Sequence, residues 1–295
     1  MKKNPIPRKD KWNTLDELLQ KKEGEFSLTE ASLVLAKESA ELNNDFNISE
    51  YLDKIHHMAD KLKVRIAGKQ PEEIISEINS YLFKEQGFSY NDNFFLNKVL
   101  DDKKGSCEGL STLYLALAEQ LDLPIYGITL PEHVAVRWDD GKFKRNIETT
   151  DEGIEVFDSD YRKKYNISQK SIKEGVYLRN LSKKEVVGWL LSNRGVAYAD
   201  KGELDKAIQD FNKALELDPN FVEAYNNRGI AYAYKGEFDK AMQDWNKALE
   251  LDPKYANAYY NRGIAYANKG EFNKAMQDLN KARELIQTIF KGSSL

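Results

Sequence analysis

One cysteine, three histidines and seven prolines in 295 residues exclude several kinds of chemistry. A single thiol closes no internal disulfide, so a reducing cytoplasm is the compartment that suits the chain. Zinc spacing is missing: there is no cysteine pair, and His56 and His57 are adjacent instead of one helical turn apart. No metal and no other cofactor is expected, and no glycine-rich phosphate loop is present. Positive charge is not in excess, because 44 Lys and Arg face 48 Asp and Glu. The resulting net charge of −4 argues against nucleic acid or an anionic membrane as partner. No stretch approaches the ~18 apolar residues of a membrane span, and the N-terminus lacks the apolar segment of a signal peptide. Its basic residues Lys2, Lys3, Arg8, Lys9 and Lys11 are interrupted by Pro5 and Pro7, so residues 1–12 read as a disordered arm.

What the chain has in abundance is repetition. The run Asn-Arg-Gly-(Val/Ile)-Ala-Tyr begins at Asn193, Asn227 and Asn261, a period of 34 residues. Lys-Ala pairs at 206–207, 240–241 and 274–275 keep the same period, and Pro219 and Pro253 close the first two units. This pattern resembles the tetratricopeptide repeat, a helix–turn–helix unit of that length. Residues 184–295 are then three such units, forming an all-α solenoid, with the last helix running to about Phe290 as a cap. Gly195, Gly229 and Gly263 allow paired helices to approach closely. Phe211 and Trp245, with Tyr198, Tyr232 and Tyr266, are expected to fill the volume between adjacent pairs, where the third unit has Leu279. Gly202, Gly236 and Gly270 make the turn inside each unit. Asn193, Asn227 and Asn261 form an asparagine ladder along the groove. An amide that donates and accepts suits a protein partner or extended peptide held there.

Residues 13–100 read as helical. Ser27-Leu28-Thr29-Glu30 has the form of a capping box, and Pro71 fits the first turn of a helix. The Asn-rich turn 87–93 breaks the series. Gly105-Ser106-Cys107-Glu108-Gly109 then opens a buried helix whose inward stripe is Cys107, Leu110, Tyr114, Leu117, Ala118 and Leu121. Past it the period falls to two: residues 125–130, 134–138 and 143–149 read as strands, and Asp140-Gly141 as a two-residue hairpin turn. Residues 151–187 look mixed.

A thiol at a helix N-terminus sits where backbone N–H groups favour the thiolate. Gly105 and Gly109 leave space beside it for a substrate acyl group. If Asp139 pairs with Lys142, His133 stands directly opposite Glu148 on one face, where the carboxylate can orient the imidazole. Cys107 approaches His133 from a helix packed on this sheet. Glu132 and Arg137 read as a solvated strand edge.

Gly-Ser-Cys-Glu-Gly on a helix, Leu130-Pro131-Glu132-His133-Val134-Ala135-Val136-Arg137, and Asn146-Ile147-Glu148-Thr149-Thr150 resemble the transglutaminase-like core. They are closest to its bacterial, SirB-type branch, often fused to tetratricopeptide repeats. The resemblance implies an α+β papain-like fold over residues 13–183, with Cys107 as nucleophile, His133 as general base and acid, and Glu148 as orienting acid. The activity expected is a thiol-dependent acyl-transfer or hydrolysis reaction on a peptide or protein amide, with the repeats recruiting the substrate. The alternative is a non-enzymatic interaction protein with a silent core domain, and a weaker third reading makes Cys107 a redox sensor.

Overall fold

The computed structural model describes residues 12–39, 42 and 45–292. The basic arm expected over 1–12 therefore lies outside the described residues, Trp12 excepted. The chain divides into two compact units that meet at Leu123/Pro124.

The first unit contains helices α1 (Leu15–Leu19), α2 (Leu28–Glu38), α3 (Ile48–Ile66), α4 (Pro71–Asn79), α5 (Leu96–Asp102) and α6 (Cys107–Leu121). Local signals start most of them. Thr14 and Glu17 form a reciprocal capping box at α1, Asn47 caps α3, and Pro71 opens α4, whose end passes into a π-helical turn at Ser80–Glu85. The α2 terminus is different. Ser27 Oγ accepts from Glu30 N–H, but the carboxylate that serves this end is Glu119 of α6. Glu119 accepts from the Leu28 and Thr29 amides at 3.0 Å each and from Thr29 Oγ1 at 2.7 Å. With the Ser27 hydroxyl, which donates to it at 3.1 Å, this charged acceptor meets four donors and fixes α2 against α6. Every residue of α6 from Gly109 to Ala118 is buried, so this helix is the centre of its unit and not a one-sided stripe. It ends at Asp122, left-handed at φ 54°, two residues before Pro124.

The second unit begins with an antiparallel sheet in the order β3 (Ile125–Leu130), β4 (His133–Asp139), β5 (Lys144–Glu148), β6 (Ile154–Val156). The fourth strand lies in the segment that reads as mixed in the sequence. The short strands β1 (Ser89–Tyr90), in the Asn-rich turn, and β2 (Lys104–Gly105), just before α6, pair in parallel within the first unit. After β6 come α7 (Asp158–Lys164), α8 (Gln169–Lys173) and three helix pairs: α9 (Lys183–Asp200) with α10 (Leu204–Leu217), α11 (Val222–Tyr234) with α12 (Phe238–Leu251), and α13 (Ala256–Asn268) with α14 (Phe272–Gly292). One hydrophobic cluster joins Ile128, Leu130 and Ala135 of the sheet to Val222, Trp245 and Tyr255 of the helix pairs. Sheet and solenoid thus share a core. Among the described residues no helix is long and apolar enough to cross a membrane.

Within each pair the helices close on a glycine. A methyl at Gly195 would sit 2.8 Å from Phe211, one at Gly229 2.7 Å from Trp245, and one at Gly263 3.0 Å from Leu279. These large side chains therefore fill the space inside their own pair, and Phe211 also lines a cleft with Asn227, Ile230 and Tyr234 of the next pair. Each pair is also pinned by an ion pair, Arg194–Asp210, Arg228–Asp244 and Arg262–Asp278, each with two hydrogen bonds of 2.6–2.9 Å.

Candidate active site

Cys107 is the first residue of α6 and is half-buried. Ser106 precedes it as cap, its Oγ accepting from Gly109 N–H at 3.2 Å. The β1–β2 pair and the Ser106 N–H, which donates to Asn93 O at 2.7 Å, hold the approach to the helix. The flanking glycines do not leave a substrate space. A methyl at Gly109 would lie 2.3 Å from the Asn93 carbonyl oxygen, and one at Gly105 3.0 Å from Val99. The chain itself occupies that room, so these glycines serve close packing. The thiol donates to Glu108 Oε2 at 3.2 Å, an oxygen that also accepts from Ser106 Oγ at 2.8 Å.

His133 and Glu148 meet in the second unit, by a register other than the direct pairing. Asp139 pairs with Lys144, so the loop is four residues, 140–143, and not the two-residue Asp-Gly turn. Asp140 builds it, accepting from the Lys142 and Phe143 amides at 2.9 and 2.8 Å. Carried along the ladder, this register puts Ala135 opposite Glu148, and His133 two residues away on the diagonal. A shift of two keeps the face, because side chains alternate with a period of two. The glutamate is long enough to cross the diagonal: His133 Nε2 lies 2.7 Å from Glu148 Oε2. The other ring nitrogen, Nδ1, then points away from the carboxylate.

Glu148 is only 5% exposed. Its Oε2 also accepts from the Tyr161 hydroxyl at 3.0 Å, while Oε1 accepts from Thr150 Oγ1 at 2.7 Å and Thr150 N–H at 3.3 Å. Burial works to raise the carboxyl, but the hydrogen bond and charge of His133, with the Thr150 donors, outweigh it and hold the group below its ordinary value. Burial, and then the charge of Glu148, push the Tyr161 hydroxyl up, so it remains a donor. Tyr165 stacks on the imidazole, with centroids 6.0 Å apart and planes at 18°. Tyr161, Thr150 and Tyr165 were not singled out from the sequence. The available signal was the i, i+3 spacing of Asp158 and Tyr161 on one short helix.

Arg137 is not on a solvated edge. It is 1% exposed and ties the sheet to α7, donating to Asn146 Oδ1 at 2.6 Å, Leu178 O at 2.7 Å and Asp158 Oδ1 at 2.5 Å. Asn146 donates to the same Asp158 oxygen at 2.8 Å. This buried network sets the position of α7 and hence of Tyr161.

Residues 49–192 match the profile of the transglutaminase-like superfamily, and residues 195–236, 231–270 and 256–288 match tetratricopeptide-repeat profiles. The chain is a transglutaminase-like domain fused to tetratricopeptide repeats. Among curated proteins it is similar to two UPF0162 proteins of Xylella fastidiosa, strains Temecula1 and 9a5c. Both are 25% identical, over 162 and 173 residues, covering 51% of this chain and 58% of each relative. The chain therefore matches little more than half the length of those relatives. Among solved structures it is similar to MamA (29% identity, 35% of this chain and 61% of that one, TM-score 0.34). The Sgt2 repeat domain of Aspergillus fumigatus is similar too, at 27% identity, 36% of this chain, 73% of that one and a TM-score of 0.33.

In the tetratricopeptide repeats the three asparagines differ in surroundings. Asn227 lines a cleft of about 590 Å³ with Val196, Asp200, Leu204, Ile230 and Tyr234. Asn261 Nδ2 donates to Asn226 Oδ1 at 2.8 Å, and Asn226 Nδ2 to Asn227 Oδ1 at 3.3 Å, so the buried Asn226 links two rungs of the ladder. Asn193 is half-buried.

Proposed function

We propose that this chain is a thiol enzyme acting on a peptide or protein amide, with Cys107, His133 and Glu148 as its catalytic residues. The thiol gives its proton to His133 Nδ1, and Sγ bonds to the amide carbonyl carbon. The oxyanion that develops is met by backbone N–H groups at the α6 N-terminus. The C–N bond then breaks as His133 returns the proton to the leaving nitrogen, which leaves a thioester on Cys107. Water or an amine, deprotonated by the same imidazole, attacks the thioester and restores the thiol. Glu148 keeps the ring in the Nε2–H tautomer and balances the imidazolium. The observation that carries this reading is the part-buried 2.7 Å His133–Glu148 hydrogen bond, whose carboxylate has its own Tyr161 and Thr150 donors. An imidazole so held is oriented for proton transfer.

The repeats bind the protein or peptide that carries the amide, along the row Asn193, Asn227 and Asn261. A reducing bacterial cytoplasm is the setting that a lone working thiol fits, and the SirB-type branch is the one whose motifs the core resembles. A second reading, an interaction protein with a silent core, is favoured by the Cys107–Glu108 contact, which suits a resting neutral thiol. Alkylation of Cys107 by iodoacetamide as a function of pH separates the two. The enzyme reading expects fast labelling below pH 7 that His133→Ala abolishes. Slow labelling with an ordinary thiol profile, unchanged by that substitution, would leave only the binding role.

A further inference from the structure

The solenoid grips the hairpin that bears His133 with one residue from each repeat. Trp189, Glu223 and Asn257 stand 34 residues apart, at the same position of α9, α11 and α13. All three reach the β3–β4 hairpin. Trp189 closes on Gly127 of β3, where an added methyl would sit 2.4 Å from the indole. Glu223 Oε1 accepts from Glu132 N–H at 2.9 Å, and Asn257 Nδ2 donates to Glu132 Oε1.

Glu132 itself is unusual. It occupies the corner of the two-residue turn that joins Leu130 to His133, and its φ is +59°, a region glycine enters without steric cost and glutamate does not. Pro131 before it suits such a turn, and glycine would suit position 132. A side chain is present there, held by the solenoid, one peptide bond from the histidine. Burial pushes Glu223 up to about 8, so near neutrality it is protonated and adds no repulsion to Glu132.

We infer that the Trp189–Glu223–Asn257 row is a positioning device: the repeat array sets the His133 ring through Glu132 and the turn between β3 and β4. This rests on the reading above that His133 serves the thiol. Asn193, Asn227 and Asn261 lie four residues further along the same helices, one turn beyond the grip. A partner in the groove therefore binds the same helices that hold the catalytic turn.

The test uses the full chain and two readouts. With only three histidines, labelled imidazole NMR resolves the His133 Nε2–H that is shared with Glu148. Cys107 alkylation by iodoacetamide is measured in parallel, with thermal unfolding as the control for folding. Asn257→Ala and Glu132→Gly each are expected to broaden the His133 signal and to slow alkylation roughly tenfold, the loss of one charged hydrogen bond. Glu132→Gln, which keeps the acceptor, restores most of both. The double variant is expected to lose little more than either single one, because both remove one contact. An unchanged His133 signal in Asn257→Ala and Glu132→Gly, with the melting temperature held, would overturn the inference. If His133→Ala leaves alkylation unaltered while the ring signal still responds to Asn257→Ala, the positioning stands and the enzyme reading fails.

Discussion

Replacing Glu148 with aspartate tests the diagonal contact directly. Were His133 and Glu148 paired straight across the ladder, with Cβ atoms about 5 Å apart, aspartate would serve as well as glutamate. On the diagonal it does not. Removing one methylene draws the carboxylate back by about 1.5 Å. The 2.7 Å contact with His133 then opens to roughly 4 Å, past hydrogen-bond range. The Tyr161 hydroxyl at 3.0 Å loses its acceptor as well, in a site where that tyrosine is 1% exposed. Thr150 is two residues away on the same segment and can follow the shortened side chain. Two hydrogen bonds to a charged group, partly replaced by water, put the cost at about 3 kcal/mol. For a unit of this size that lowers the melting temperature by roughly 6–12 °C. Glu148→Gln keeps the reach and mismatches one donor, a cost of about 1–2 kcal/mol. The expected order in calorimetry at pH 7 is wild type, then Gln, then Asp, although Asp alone preserves the charge. The acid limb supplies a second measurement. The Glu148 carboxyl is lower in the folded chain than its ordinary 4.5, so its stabilisation is present above 4.5 and is lost as pH falls through the folded value. That limb weakens in both variants. Aspartate as stable as glutamate would refute the diagonal geometry.

Gly109→Ala introduces a methyl 2.3 Å from a backbone oxygen, so the turn at Asn93 must move. A net loss of about 2 kcal/mol is expected in denaturant unfolding, after the usual helix gain of alanine over glycine; a stabilised variant would mean that this space is open. Glu223→Gln tests the half-buried carboxyl beside Glu132. Its folded value of about 8 exceeds its ordinary 4.5, so stability that is complete below pH 4.5 is lost as pH rises toward 8. Between pH 5 and 9 the wild type should lose on the order of 3 kcal/mol that the Gln variant does not, read from melting temperatures across that range; parallel curves would place Glu223 in water.

Local signals were legible in the chain where they are self-contained. The 34-residue period is visible in the chain directly, and Pro71 at a helix start and the alternation through residues 125–138 each depend on neighbours within one turn or one strand. The capping box written at Ser27–Glu30 is instructive because half of it is not used. Ser27 caps Glu30 N–H as the pattern implies, but the carboxylate that answers comes from Glu119, about ninety positions away. Gly105 and Gly109 were legible as glycines and not as to purpose, since what fills the space beside them is Asn93 and Val99 from another segment.

The amino-acid sequence alone determined that this protein has a cysteine-headed helix, a histidine-bearing hairpin and a 34-residue helical repeat, because caps, alternation and period are local properties of the chain. Tertiary structure decided which residues those elements bring together. The hairpin loop took four residues instead of two, and the even shift kept Glu148 on the face of His133 while moving it to the diagonal. The solenoid turned one row of equivalent positions toward that hairpin, where a glutamate sits in a glycine-like conformation. Both outcomes depend on side chains meeting across long stretches of chain, where loop length and packing choose among registers that the local pattern allows equally.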